Sequence, residues 1–281
     1  MVFPRQIDLS LNASREVSSC AKPDDAFLQL SEELSLAEEA ESAEYANGTE
    51  LYKRADVTIN TYVHIVAASK KPVDGWVSDE AVHKQMKVIN DAFKGRNIGF
   101  HLADISRKVD RDLATVKDGE PTSKLGNKLR KGNYATLNLY IVKDMPRNVA
   151  GDCTFPVSNP GPSYPNDGCR FNSNTLPSKS DGKVLIHEIG HWLGLMHTFQ
   201  EGPANPTCGT GHGDQVKDTP VHLMPKSADF ECKAVDTCPG KKGKDPVGNY
   251  MNYTPTKCWT HFTKGQARRM HNMFQTRKKH Q

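Results

Sequence analysis

His187 and His191 stand four residues apart, with Glu188 directly after the first, in the stretch His187-Glu188-Ile189-Gly190-His191-Trp192-Leu193-Gly194-Leu195-Met196-His197. Positions four apart lie on one face of a helix, so the two imidazoles can converge on a single metal ion. Glu188, one step round, then stands beside that ion, where a carboxylate can hold and deprotonate a water. Gly194, three residues past His191, suits a left-handed helix stop that bends the chain sharply. That bend can return His197 as a third nitrogen ligand. Three protein ligands with one open position describe a catalytic zinc site, whereas a structural zinc is closed by four. Leu185, Ile189 and Trp192 make an apolar stripe, so the helix also packs. A plain amphipathic core helix explains the stripe but leaves three histidines and a glutamate at metal spacing unexplained. The full pattern arises by chance on the order of once in ten thousand such sequences, which favours zinc.

The elements that must hold these residues begin at residue 56, where the pattern alternates between strand and helix. Val57, Ile59, Val63 and Ile65 keep the period of two of a strand. Ser78 caps a helix that carries Val82, Met86, Ile89 and Phe93 at helical spacing, with Gly95 just past its end. Ile98, Phe100 and Leu102 mark a second strand, and Leu137, Leu139 and Ile141 a third. Residues 169–175 read as a short edge strand ahead of the His187 helix. A twisted sheet backed by two helices, the second bearing His187 and His191, forms an upper subdomain. Residues 198–262 are rich in Gly, Pro and Cys and read as a loop-rich lower subdomain. Thr263 and Gln266 fit a capping box that opens a final helix with Ala267, Met270 and Phe274 on one face. Its basic end, Arg277-Lys278-Lys279, reads as a solvated terminus favoured by the helix dipole rather than a nucleic-acid contact.

The chain of 281 residues is long enough for one large domain or two subdomains. A mean hydropathy of −0.64 and no apolar run near the roughly 18 residues of a membrane span indicate a soluble protein. The net charge of +4 does not itself point to nucleic acid, but it is unevenly spread. Residues 1–54 hold 11 acidic and 5 basic residues, the remainder 22 and 32, so an acidic leader could associate with a basic body. Six of the seven cysteines (Cys153, Cys169, Cys208, Cys232, Cys238, Cys258) fall in the body, none in a C-x-x-C ribbon. Disulfides, and with them an oxidising compartment, are expected over a second metal site, with reduced thiols as the alternative; six cysteines allow 15 pairings and the sequence fixes none.

The extended pattern H-E-x-x-H-x-x-G-x-x-H resembles that of the metzincin zinc peptidases, and Gly248-Asn249-Tyr250-Met251-Asn252-Tyr253 looks like their Met-turn. The wordings HEIGHWLGLMHTF, GDQVKDTP, NYMNYTPTKC and FTKGQARRM are similar to the pappalysin-type branch, and within it to fungal extracellular metalloproteases. The resemblance covers most of the chain after residue 55. It implies an α+β, metzincin-like catalytic domain (55–281). Its upper subdomain (55–194) has a twisted mixed sheet and two long helices, and its irregular, disulfide-stapled lower subdomain (195–281) has a C-terminal helix. It further implies one zinc per chain on His187, His191 and His197, with Glu188 as general base for peptide-bond hydrolysis. Tyr253 would assist the charge that develops in the transition state, and Met251 would pack beneath the site. The disulfides implied are Cys208–Cys238 and Cys232–Cys258, leaving Cys153–Cys169. The strand over 169–175 would pair with extended substrate.

The same resemblance makes Asp214 and Asp218 a candidate calcium site, with an Asx-type turn as the alternative. The dibasic Lys53-Arg54, immediately before the first strand, looks like a processing site and makes residues 1–54, with a possible helix over 27–46, a candidate pro-segment; an ordinary surface pair is the alternative. Cys20 could cap the zinc as a latency thiolate or stand unpaired in a tail. No signal peptide is visible, yet the sequons at Asn12 and Asn47 favour the secretory route; a third, at Asn252, lies in the turn. Lys257, just after that turn, disfavours a basic residue following the scissile bond. The expectation is a secreted, monomeric endopeptidase acting on protein or peptide substrates, without nucleic-acid or membrane partners. A catalytically silent binding module of the same fold and an intracellular zinc hydrolase are the alternatives.

Overall fold

A computed structural model describes residues 23–46, 56–147, 149–161, 164–199, 208, 213–226 and 231–280. Strand β1 (Val57–Ala67) alternates buried and open positions at its start, and is buried without interruption from Val63 to Ala67. The change marks the point where both faces of the sheet become covered. One face packs against α2 (Asp79–Phe93) and the histidine-bearing α4 (Val184–Trp192), with Ile59, Val63, Ile65, Ile89 and Ile189 in one cluster. The other receives Val66, Tyr140 and Val142 together with Leu113, Val116 and Leu125. The last of these belongs to α3 (Ser123–Leu129).

The sheet runs β2-β1-β3-β5-β4, with β2 (Ile98–Val109), β3 (Leu137–Val142), β5 (Cys169–Asn172) and β4 (Gly151–Cys153). The first four strands of that order are parallel, and β4 is antiparallel to β5. The strand at 169–172 is therefore an inner strand, a correction to the edge position expected for 169–175. Gly151-Asp152-Cys153 covers its outer side, in a register that sets Cys153 opposite Cys169. Three residues carry too little periodicity to announce a strand, so β4 was not legible. Strand β2 lies on the opposite edge and continues past Leu102 to Val109, where exposed Ala103 and Asp104 break the apolar alternation.

Local signals place the helices. The Ser78 side chain accepts from Ala81 N at 3.2 Å and opens α2. The left-handed residue beyond that helix is Asn97 at φ 57°, after a short 3-10 turn that contains Gly95. The Thr263 side chain accepts from Gln266 N, and Gln266 answers to Thr263 N, completing the expected capping box of α5 (Lys264–Lys278). Met270 and Phe274 join the main core, with Ala267 partly buried against it. The basic end departs from expectation at Arg277, which is fully buried. Its guanidinium bonds Asp167 at 2.8 Å and Trp192 O at 3.1 Å, and lies over the Trp192 ring at 3.9 Å. Only Lys278 and Lys279 are solvated.

The lower part of the chain contains no strand among the described residues, and three disulfides staple the molecule: Cys153–Cys169, Cys208–Cys238 and Cys232–Cys258. Helix α1 (Asp25–Ala46) lies against α5. Its attraction to the basic body is specific: Glu38 takes both its oxygens to Arg269. Among the described residues no helix is long and apolar enough to cross a membrane.

Candidate metal centre

Helix α4 is buried along its whole length, so its polar side chains need partners inside the protein. It ends where Gly194 adopts φ 83°. Gly194 N donates to His191 O and Leu195 N to Gly190 O, both at 2.9 Å, which is the paired closure of a Schellman stop. A Cβ on Gly194 would lie 2.7 Å from Met273 Cγ, so the turn is also tight against α5. Three residues later the reversed chain presents His197.

The three imidazoles meet. His191 Nε2 lies 3.1 Å from His187 Nε2 and 3.1 Å from His197 Nε2. Their far nitrogens decide what this means. His187 Nδ1 is 2.7 Å from Tyr250 O, and His191 Nδ1 is 2.7 Å from Leu195 O. A carbonyl only accepts, so both Nδ1 atoms carry the proton and both Nε2 atoms present lone pairs. Burial holds His191 down to about 4 and His187 well below its ordinary range, so both rings are neutral. Lone pairs brought this close repel unless a cation lies among them. Tetrahedral zinc with nitrogens at about 2.0–2.1 Å sets two ligand nitrogens about 3.3 Å apart, close to what is found here. The donor set fits zinc. Among the described residues this is the one cluster of three or more His, Cys, Asp or Glu with metal-ligand spacing.

Aromatic rings wall the site. Trp259 stacks on His187 (centroids 5.2 Å apart), Phe199 on His197 (5.1 Å), and Phe155 tilts against His191 (5.0 Å). Tyr253 lies 4.5 Å from His197 and 5.9 Å from His187, at the edge of the cluster. Glu188 is buried beside His187. Met251 is fully buried against Gly190, where a side chain would overlap its Sδ. Asn249 shapes this turn by accepting from Met251 N, and exchanges two hydrogen bonds with the capping Gln266 of α5. Met251 O accepts from Thr198 N, which ties the turn to the residue after His197. The Thr198 hydroxyl in turn meets buried His222 Nε2 at 2.9 Å.

Trp259, Phe155, Phe199 and the two carbonyls are the parts sequence reasoning missed. Phe199 ends one quoted motif and Trp259 directly follows another, so both could have been found; Phe155 carries no local signal. Asp218 does not join the histidines: its oxygens accept from Thr263 Oγ1 and Gly265 N at the start of α5. Asp214 Oδ1 accepts from Val216 N, the Asx-type turn, and burial pushes the carboxyl up to about 7. Asn252 is fully buried and donates to Pro246 O, so its sequon is enclosed. Cys20, Asn12, Asn47 and Lys53-Arg54 lie outside the described residues.

Residues 127–275 match the family described as Peptidase_M43, pregnancy-associated plasma protein-A. The chain is 39% identical to an extracellular metalloprotease of Pyricularia oryzae, covering 90% of this chain and 86% of that one. It is 36% identical to extracellular metalloprotease 1 of Coccidioides posadasii, covering 94% and 90%. Its fold is similar to that of mirolysin in complex with compound 9, at TM-score 0.65 and 22% identity over 81% of this chain and 97% of that one. Tannerella forsythia mature mirolysin in complex with a cleaved peptide follows at TM-score 0.58 and 23% identity, over 77% and 91%. The matched span runs from α3 through the three histidines and the Met251 turn into α5, and the chain belongs to the M43 peptidases, a family of zinc metalloendopeptidases.

Proposed function

We propose that this chain is a secreted, monomeric endopeptidase in which His187, His191 and His197 hold one zinc, Glu188 moves the proton and Tyr253 assists. The observation that carries the reading is the pair of Nδ1–H bonds to Tyr250 and Leu195 carbonyls, which turns Nε2 lone pairs toward a common point. Zinc bound there supplies Lewis acidity, which polarises a carbonyl and lowers the pKa of water from 15.7 to about 7. The Glu188 carboxylate accepts a proton from the attacking water and hands it to the departing amine, so one C–O bond forms as the C–N bond breaks. The Tyr253 phenol, ringed by His187, His197 and Phe199, donates to the carbonyl oxygen as negative charge collects on it. The outer edge of β4 offers main-chain groups to an extended substrate, the role first expected of 169–175.

Secretion is supported by the extracellular relatives and by three disulfides, which persist in oxidising compartments. A monomer is supported by a site drawn from one chain. Lys257 is exposed just after the Met251 turn, and we expect weak discrimination or tolerance of acidic and apolar residues after the scissile bond. Strong arginine selection in a peptide library would contradict that. The candidate calcium site narrows to Asp214, since Asp218 caps α5. The Asp214 carboxyl is buried, and the neighbouring Gln215 Oε1 is buried without a hydrogen-bond partner among the described residues; oxygen ligands of this kind suit calcium.

The test is metal analysis joined to a casein digest of the full chain. One zinc per chain and hydrolysis that a chelator stops and added zinc restores are expected. A zinc-loaded protein that cuts no peptide would leave only a binding module.

A further inference from the structure

Arg269, on α5, touches the N-terminal helix and has 0% of its surface exposed. Its guanidinium reaches Glu38 Oε1 and Oε2 at 3.2 Å each, Ser31 Oγ at 2.7 Å and Gln215 O at 2.7 Å. Two of those three residues belong to α1. Arg268 adds a bond to Glu38 O and Asn272 one to Glu38 Oε1. At the other end of α1, Phe27 is 2% exposed and shares a cluster with Phe155, Met196 and Met273. Its ring lies 4.5 Å from Phe155, which lies 5.0 Å from the His191 imidazole. Met196 precedes His197, and Met273 is the side chain pressed on the Gly194 turn.

We propose that α1 is a permanent brace of the zinc site rather than a segment made to leave it. Glu38 anchors the helix on Arg269, and Phe27 supports His191 and the 194–197 turn through Phe155, Met196 and Met273. The helix therefore stays bound, and the site keeps its metal, even when the chain is cut between α1 and β1. A removable inhibitor is the competing idea. Its departure would strip a fully buried guanidinium of its carboxylate and hydroxyl partners and open an apolar pocket to water, two penalties of the costly kind. Glu38 and Phe27 are positioning residues, since neither touches the metal. The proposal rests on the histidines being zinc ligands, but retention of the helix is read without zinc, so the two ideas fail separately.

The experiment uses the full-length, zinc-loaded chain with a recognition sequence for a specific protease placed within residues 47–55. After cutting, the α1 fragment is expected to co-elute with the body in native gel filtration and to separate only in denaturant, with peptidase activity unchanged. Glu38→Ala should weaken retention on the order of a hundredfold or more, by removing the carboxylate that balances the buried Arg269 charge. Phe27→Ala, uncut, should surrender zinc to a chelating dye on the order of tenfold faster, and Phe27→Leu should restore much of the retention. Should Glu38→Ala fail to fold, the cut wild-type chain and Phe27→Ala carry the test. Release of the fragment from cut wild type in native gel filtration overturns the proposal, whatever the activity that remains. Zinc loss from Phe27→Ala no faster than from wild type overturns the bracing role.

Discussion

His187 and His191 each spend one ring nitrogen on a main-chain carbonyl and one face on an aromatic ring, which leaves Nε2 as the atom with chemistry to do. Rings fixed in this way lose little further freedom when they take a metal. Glu188 shares the helix with them but projects one residue round, so its removal should spare zinc and stop proton transfer. Glu188→Gln is expected to keep one zinc per chain by metal analysis, while kcat falls on the order of 10²–10⁴-fold. Tyr253→Phe keeps the ring contacts with His197 and Phe199 and removes only the hydroxyl. Its kcat should drop about a hundredfold with KM little changed, and an unchanged kcat would reduce Tyr253 to packing. The convergence of the three histidines with Glu188 beside them was legible because helix geometry and one glycine convert sequence spacing directly into spatial proximity. Trp259 and Phe155 reach the same imidazoles through tertiary packing from separate loops, and no periodicity records that.

The elements around α4 depend on two glycines for different reasons. Gly190 has helical backbone and lacks a side chain because Met251 occupies the space; Gly194 sits at φ 83°, where an L side chain is strained wherever its neighbours are. Gly190→Ala should therefore cost about 1–3 kcal/mol by overpacking, and a shortened partner in Gly190→Ala/Met251→Val should recover part of it. Gly194→Ala carries about 1–2 kcal/mol of conformational strain in addition to its contact with Met273. Trimming Met273 to Ala should leave that strain in place and the zinc affinity reduced. Thermal unfolding of the two pairs, with zinc titration, separates the mechanisms; equal rescue in both would show that the φ angle is not what matters. Caps and stops of this sort were readable, since Ser78, Thr263 and Gly194 act on residues only a few positions away. Strand β4 and the burial of Arg277 were not. The first is a strand only because Cys169–Asn172 offers it a ladder, and the second is buried only because Asp167 and Trp192 wait for it across the fold.

Across the molecule, burial displaces titrating groups of opposite sign, and the net effect on stability changes with pH. In the metal-free protein His191 and His222 are held to about 4 and His187 well below 6.5, mainly by burial. Their unfolded counterparts protonate near 6.5, so below that pH the unfolded chain binds more protons and folding weakens. The contribution is present above 6.5 and lost as pH falls toward 4, on the order of 3 kcal/mol for His191 alone. Asp214 works the other way. Its unfolded carboxyl ionises near 3.8 and its folded one near 7, so its contribution is full below 3.8 and lost as pH rises through 7. That loss is on the order of 4 kcal/mol. Asp214→Asn should accordingly raise Tm at pH 8 in chelator and change little at pH 3.5, where the native carboxyl is protonated in both states. Calcium should reverse the sign, because a cation that binds the ionised carboxylate stabilises only the folded chain that presents it. At pH 8 in millimolar calcium, wild type should then unfold at the higher temperature and Asp214→Asn should not respond. An equal calcium shift in both proteins would place the ion elsewhere and leave Asp214 as a buried acid with a structural role alone.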